Sequence, residues 1–244
     1  SKKCHEAHVR ALVECIKKGS VISEYVWVPL TIASRLAWSN RAVAMLVEKE
    51  FPREAATLVV TELELWLDMR YMILDSKRAT EWAEHTDTRH PVWPIQQMLD
   101  SVFEELPKQR VLKRLHELLC TIKHGNPAAG AFAHDFGRGD DGILRAGAGV
   151  AIKLSEPVGN AVLAVSTYFM HQGALTASHA IELYAADRDT VFVNNEARRQ
   201  MQEWQEPTLE FFWEGLNSLK PNVGYWFDSV GDWGSSIAKN LWDT

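Results

Sequence analysis

Three carboxylates and one arginine interrupt an otherwise apolar stretch of the chain at residues 55–74. They are Glu62, Glu64, Asp68 and Arg70. A carboxylate on a buried helix is unfavourable unless it is paired, hydrogen-bonded or bound to a metal. Residues four apart share one face of a helix, so Glu64 and Asp68 are candidates to line one ligand pocket. The alternative is that Glu62, Asp68 and Arg70 form a solvated or salt-bridged stripe.

Two histidines are the other candidate ligand contacts. His124 falls in the last turn of a helix predicted at 108–124, where it is expected either to cap the helix or to contact a ligand. His171 lies in a long apolar helix predicted at 156–186, where bonding to a backbone carbonyl is the simpler expectation. The predicted ligand-binding residues are therefore Glu64, Asp68, Arg70, His124 and His171.

Metal and phosphate motifs do not occur at the required spacing. A di-iron bundle site needs Glu-x-x-His on two helices, and the chain contains neither that motif nor His-Glu-x-x-His. Cys4, His5 and His8 offer a possible clip near the first residues, where histidines are usually solvated. The glycine-rich residues 137–142 are expected to form a turn. We predict no metal site and no cofactor.

The composition favours one helical domain in a reducing compartment. The 244 residues are 46% hydrophobic, which is enough for a sizeable core without disulfide bonds. The 3 cysteines show no Cys-x-x-Cys spacing, so we expect a cytoplasmic protein. The net charge of -6 argues against a broad positive field for nonspecific nucleic-acid binding. No apolar run approaches the roughly 18 residues of a membrane-spanning helix.

Apolar residues recur at helical spacing along most of the chain. This pattern predicts an all-α, antiparallel helical bundle of about seven or eight helices. Ser76 is expected to cap a short helix that ends near Glu84, and residues 125–149 are expected to form one long irregular segment. The other predicted helices lie at 2–18, 30–51, 53–74, 156–186 and 195–219, with one more after each of Pro94 and Pro107.

The helical bundle domain is predicted to cover residues 1–220, followed by an aromatic tail at 221–244. In the tail, the spacing of apolar residues between Trp226 and Leu241 fits one helical face. Large exposed aromatic patches usually mark interfaces, so we expect the tail to pack on the body of the protein or on a second copy. We expect the protein to be a homodimer. A membrane surface is disfavoured because the tail's charges are Asp228, Asp232 and Asp243 against Lys239.

The order of the predicted elements carries a family resemblance over residues 52–184. It comprises an apolar helix with an internal glutamate (AATLVVTELELWLDMRYMILDS), a short tryptophan-containing helix, a helix ending in histidine (LHELLCTIKHGNP), a glycine-rich loop and another apolar helix. This order resembles uncharacterised all-helical bacterial proteins that are distantly similar to the HEPN superfamily of nucleotide-binding proteins and ribonucleases. The resemblance implies a helical fold and a context in bacterial defence or stress response.

The resemblance also implies a catalytic pair. Ribonucleases of that superfamily carry an arginine followed, after about four to six residues, by a histidine. Arg78 with His85 and Arg110 with His116 match this spacing. Two hypotheses follow: a noncatalytic helical protein that binds a ligand or partner, or a metal-independent ribonuclease that acts on RNA as a homodimer.

Overall fold

A computed structural model describes residues 24–86, 90–104, 106–124, 135–138, 144–147, 156–184 and 188–227. The described residues form α-helices and one pair of strands, so the predicted all-α helical bundle is confirmed. In chain order the elements are α1 (Glu24–Glu48), α2 (Pro52–Met72), α3 (Lys77–Glu84), α4 (Ile95–Val102), α5 (Leu106–Lys123), β1 (Asp135–Arg138), β2 (Leu144–Gly147), α6 (Glu156–Tyr184), α7 (Arg188–Gln202) and α8 (Gln205–Phe227). No helix among these residues is long and apolar enough to span a bilayer.

The first described helix begins earlier than the sequence predicts. The predicted start lies after Pro29, whereas α1 starts at Glu24 and contains Pro29. Proline within a helix cannot donate a backbone hydrogen bond. Val26, Val28 and Leu30 are buried around it, and their burial offsets the lost bond.

The cap of α3 also differs from the prediction. Ser76 occupies the N-cap position, but its side chain makes no capping hydrogen bond. The carboxylate of Asp75 instead accepts the backbone N–H of Lys77 at 3.0 Å. A carboxylate at a helix N-terminus satisfies an orphan donor and interacts favourably with the helix dipole. The cap is therefore present, but it comes from the preceding residue.

The helix predicted at 195–219 is two helices in the structure. α7 ends at Gln202 and α8 begins at Gln205. Between them, Trp204 packs on a buried cluster formed by Ala37 and Met170. Pro207 then falls in the first turn of α8, where a missing N–H costs no intrahelical bond.

Two segments bear on the predicted boundaries. Within the predicted irregular segment 125–149, β1 and β2 pair in antiparallel fashion, with Phe136 opposite Ala146. α8 continues past residue 220 to Phe227, and residues 228–244 lie outside the described residues. The predicted helix at 2–18 and the possible metal clip near the first residues also lie outside them.

The chain divides into two compact units. Unit 1 contains the described residues within 1–40, 62–104 and 167–210, and unit 2 contains those within 41–61, 105–166 and 211–244. Each unit has its own set of helix contacts and is described separately below.

In unit 1, α1 and α6 run antiparallel. The ring of Tyr25 lies 5.7 Å from that of Tyr184, and the amide of Asn40 donates to Thr167 Oγ1 at 3.3 Å. Gly173 lies between these contacts, where an added Cβ would meet a Leu36 methyl at 2.3 Å. The missing side chain thus lets the two helices approach closely.

Aromatic rings connect α2 to α6 in unit 1. The ring of Trp66 lies 5.4 Å from Phe169, 6.2 Å from Tyr168 and 6.0 Å from Phe103. Trp66, Tyr168 and Phe169 are essentially inaccessible to solvent. This aromatic core fixes the position of the polar residues one turn further along α2.

In unit 2, α6 and α8 also meet at a glycine. A Cβ on Gly215 would lie 2.6 Å from Ala164 Cβ and 3.1 Å from Ala161 Cα. Three small residues therefore allow close backbone contact. Elsewhere in this unit, α1 and α6 approach at Gly159, where an added Cβ would lie 3.0 Å from a methyl of Val47.

Candidate functional site

The carboxylates of α2 differ in their exposure to solvent. The side chain of Glu62 is 0% exposed, so the solvated form of the stripe does not hold for this residue, whereas its burial does not test the salt-bridged form. Glu64, Asp68 and Arg70 are half-buried. The predicted ligand-binding set contained these three and left out Glu62, because helical periodicity alone does not show which side of a nearly all-apolar helix faces water.

Asp68 is held by a residue of the neighbouring helix. The indole Nε1–H of Trp82 on α3 donates to Asp68 Oδ2 at 3.0 Å. The pKa of Asp68 is raised to about 6: burial and the nearby Glu64 raise it, whereas the indole hydrogen bond and His85 lower it. The structure thus brings Asp68 together with Glu64, Trp82 and His85.

A carboxyl group with this pKa changes charge close to neutral pH. Such a group is suited to accept or release a proton, or to attract a cationic group when it is ionised. It is also a common feature of structural ion-pair networks, so a perturbed pKa does not assign a reaction. Asp68 is the residue of α2 best suited to transfer a proton or to bind a cationic group.

Arg70 and Tyr168 form a second polar group in unit 1. Burial lowers the pKa of Arg70, and Tyr168 acts in the opposite direction. Burial likewise raises the pKa of Tyr168, which the Arg70 charge counteracts. His171, the remaining predicted ligand contact in this unit, lies on α6, and its side chain is 0% exposed.

The first predicted catalytic pair does not present a free guanidinium. Arg78 Nη1 donates to the backbone oxygen of Tyr71 at 3.0 Å, and its guanidinium carbon lies 3.7 Å from the centre of the Tyr71 ring. His85 is exposed at the C-cap of α3, where its Nε2 lies 3.0 Å from the backbone oxygen of His90. Arg78 is therefore engaged with the α2 surface.

The second predicted pair lies on α5 in unit 2. Arg110 is exposed, whereas His116 is half-buried and its Nε2 lies 3.5 Å from the Sγ of Cys120. Six residues along an α-helix correspond to about 600° of rotation, which is one full turn plus 240°, so the two side chains leave the helix in different directions. His124 follows the end of α5, where its ring is exposed and its backbone N–H donates to the oxygen of Cys120 at 2.9 Å.

Three participants were not predicted from the sequence. Trp82, Tyr168 and Cys120 each contact a candidate residue, as the hydrogen-bond partner of Asp68, the electrostatic partner of Arg70 and the neighbour of His116. Cys120 could have been found, since residues four apart on a helix are neighbours. The other two depend on how separate helices pack.

Comparison with known proteins adds no relative: no family model, no curated protein and no solved structure matches the chain.

Proposed function

We propose that this chain is a noncatalytic helical binding protein, and that the outer face of α1 binds a second copy of the same chain. The observation that carries the proposal is the exposure of two tryptophans on one face of α1: Trp27 is 50% exposed and Trp38 is 63% exposed. Tryptophan is among the residues most enriched at the centres of protein interfaces. Two of them on one solvent-facing side are a strong signal for an interface.

The spacing of this face suits a second helix. Trp27, Thr31, Ser34 and Trp38 follow one another at intervals of four, three and four residues, the pattern of a helix–helix seam. Eleven residues complete about three turns, so the two indoles project on the same side, about 16 Å apart along the axis. The small side chains of Thr31 and Ser34 leave a shallow depression between them.

A second copy fits this depression by symmetry. In a two-fold dimer the same surface meets itself, and antiparallel α1 helices place Trp27 of one copy beside Trp38 of the other. The small residues Thr31 and Ser34 of the two helices then face each other between the two pairs of indoles. A helix of another protein would need the same arrangement by coincidence, whereas a second copy supplies it automatically.

The area of the patch sets the expected strength. The exposed parts of the two indoles offer roughly 200–300 Å² per copy, well below the ~800 Å² per partner of a stable interface. The net charge of -6 adds repulsion between copies. We therefore expect a weak, reversible dimer that strengthens with salt. We propose that the aromatic residues of the tail at 221–244 add further contact area to the dimer.

Sedimentation velocity over a range of protein concentrations tests this proposal. We expect the wild type to dimerise and a Trp27→Ser/Trp38→Ser variant to remain monomeric. Leu74→Ser/Leu183→Ser is the matched control, since these leucines are similarly exposed at 54% and 51% in the same unit. A wild type that is monomeric at every concentration, or a control that loses the dimer equally, overturns the assignment to α1.

The ribonuclease alternative has weaker support. A pair that polarises a phosphate and moves a proton needs both side chains open to one cleft. Arg78 is stacked on Tyr71, and Arg110 and His116 leave α5 in different directions. These contacts favour binding over cleavage as the proposal.

The proposed setting is the cytoplasm of a bacterium, in a defence or stress pathway. The location is supported by the cysteine pattern, since the half-buried Cys120 carries a free thiol. The pathway is supported by the resemblance to the HEPN superfamily alone. A ligand site around Glu64, Asp68 and Arg70 remains a prediction within this proposal.

A further inference from the structure

A histidine and a cysteine lie one helical turn apart on α5 in unit 2. The Sγ of Cys120 is 3.5 Å from His116 Nε2 and 3.9 Å from His116 Nδ1. Both side chains are half-buried, and the thiol is not in a disulfide bond. The two potential ligand atoms therefore lie side by side on one half-buried face of α5.

The separation of these atoms matches that of two ligands on one metal ion. Zinc binds cysteine sulfur at about 2.3 Å and histidine nitrogen at about 2.0–2.1 Å, usually in tetrahedral geometry. At a tetrahedral angle these bond lengths place nitrogen and sulfur about 3.6 Å apart. The observed 3.5 Å between Nε2 and Sγ matches this separation. Sγ is also 3.9 Å from Nδ1, so the sulfur lies beside the imidazole ring, and the ring must turn about its side-chain torsions to direct the Nε2 lone pair at the ion.

We propose that His116 and Cys120 bind a thiophilic divalent ion of the zinc type, with water completing its coordination. The neutral imidazole donates the lone pair of Nε2, and the thiol releases its proton to the solvent as the sulfur–metal bond forms. Thiolate and imidazole ligands select zinc-like ions over Mg²⁺ and Ca²⁺, which require oxygen. The proposal departs from the metal-free prediction, which considered carboxylate–histidine motifs, Cys-x-x-Cys and the clip of Cys4, His5 and His8, but not a cysteine and a histidine one helical turn apart.

The neighbouring carboxylate of α5 has another role. Glu117 Oε2 accepts a hydrogen bond from Arg114 Nη1 at 2.7 Å, which forms an ion pair within the helix. The backbone oxygen of Glu117 accepts from the Thr121 hydroxyl at 2.8 Å. With two ligands from α5, the site is expected to bind metal more weakly than a four-ligand structural zinc site.

Titration of the purified, metal-free chain with Co²⁺ tests the proposal. Cobalt replaces zinc at such sites, and a cobalt–thiolate bond gives a charge-transfer absorption in the near ultraviolet. We expect this band to saturate at one ion per chain and to disappear when Zn²⁺ is added. His116→Ala and Cys120→Ser should each weaken binding at least ten-fold.

Controls separate this pair from the other candidate ligands in the chain. Cys4→Ser and Cys15→Ser remove the other two thiols, and His179→Ala removes a histidine of α6 whose Nδ1 lies 3.4 Å from Glu182 Oε2, so all three variants should retain the wild-type titration. Cys120→His should still bind Zn²⁺, by calorimetry, but without the thiolate band. An absent band in the folded wild type, or full binding by Cys120→Ser, overturns the proposal.

Discussion

The indole N–H of Trp82 donates to the carboxylate of Asp68 at 3.0 Å and joins α3 to α2. The bond links a half-buried acid to the only hydrogen-bonding atom of a tryptophan side chain. The bond thereby helps to fix the position of α3 relative to α2, the helix that precedes it in the chain. The bond partly offsets the effect of burial, and the pKa of Asp68 is raised to about 6 because burial outweighs the bond.

The raised pKa of Asp68 predicts a pH-dependent stability. An unfolded aspartate has a pKa of about 3.9, so the folded chain binds this proton more tightly than the unfolded chain does. The unfolding free energy should therefore fall as pH rises from about 4 to about 7, because ionisation of Asp68 is penalised only in the fold. Since the group is partly exposed, we expect a loss of about 1–2 kcal/mol rather than the full shift.

Asp68→Asn should remove this pH dependence of the unfolding free energy. The amide oxygen can still accept the Trp82 N–H, but it carries no charge at any pH. Urea denaturation between pH 4 and 8 should show the variant gaining stability over the wild type as pH rises. Asp100→Asn is the matched control, because Asp100 is exposed and accepts from Gln96 at 2.7 Å. Identical pH profiles for the wild type and Asp68→Asn would contradict the prediction.

Trp82→Phe should destabilise the protein at high pH, where Asp68→Asn is expected to stabilise it. Phenylalanine keeps an aromatic ring but removes the donor that stabilises ionised Asp68. The pKa of Asp68 should rise further, and stability at pH 8 should fall by about 1–2 kcal/mol. The decisive measurement is a double-mutant cycle with Asp68→Ala at pH 8, because alanine removes the acceptor of the Trp82 N–H. A coupling energy near zero would mean that the bond contributes nothing to the folded state.

The positions of most helices and the closeness of Glu64 to Asp68 could be predicted, but the residues that contact them from other helices could not. Proline at 52, 94 and 107 and continuous apolar periodicity located α2, α4 and α5. The burial of Glu62 could not be predicted, because its helix is apolar almost all round and offers no periodic boundary. The Asp68–Trp82 bond depends on the turn between α2 and α3, whose geometry is set by local backbone angles rather than by residue type alone.

The Arg70–Tyr168 relationship shows the same limit over a longer range. These residues are almost a hundred positions apart, and they meet because rings of Trp66 and Phe169 pack α2 against α6. Such contacts depend on which helices pack against each other, and this pairing cannot be predicted from the residue pattern of a single sequence. By contrast, the His116–Cys120 contact is local to one helix and follows from its four-residue spacing.

Close helix packing predicts different effects for two glycine substitutions in unit 2. Gly215→Ala would place a Cβ 2.6 Å from Ala164 Cβ and 3.1 Å from the backbone of Ala161, so the helices must separate. We expect a loss of about 1–3 kcal/mol. Gly159→Ala meets only the end of the Val47 side chain at 3.0 Å. It should be neutral or stabilising by up to about 1 kcal/mol, from the higher helix propensity of alanine.

Thermal or urea unfolding of the two variants checks this prediction. Circular dichroism of each variant at low temperature should first show wild-type helix content, so that only the stability differs. If Gly215→Ala is as stable as the wild type, α6 and α8 do not make the close backbone contact described for unit 2.

An RNA cleavage assay separates the binding proposal from the ribonuclease hypothesis. With single-stranded and transfer RNA in the presence of EDTA, we expect no cleavage by the wild type above that of His85→Ala and His116→Ala. The physical reason is that the Arg78 guanidinium is stacked on Tyr71, and that Arg110 lies about 240° around α5 from His116. EDTA excludes metal-dependent contaminating nucleases, and identical purification of all three proteins controls for the others. EDTA-resistant cleavage that one histidine variant abolishes would name the catalytic histidine and overturn the noncatalytic proposal.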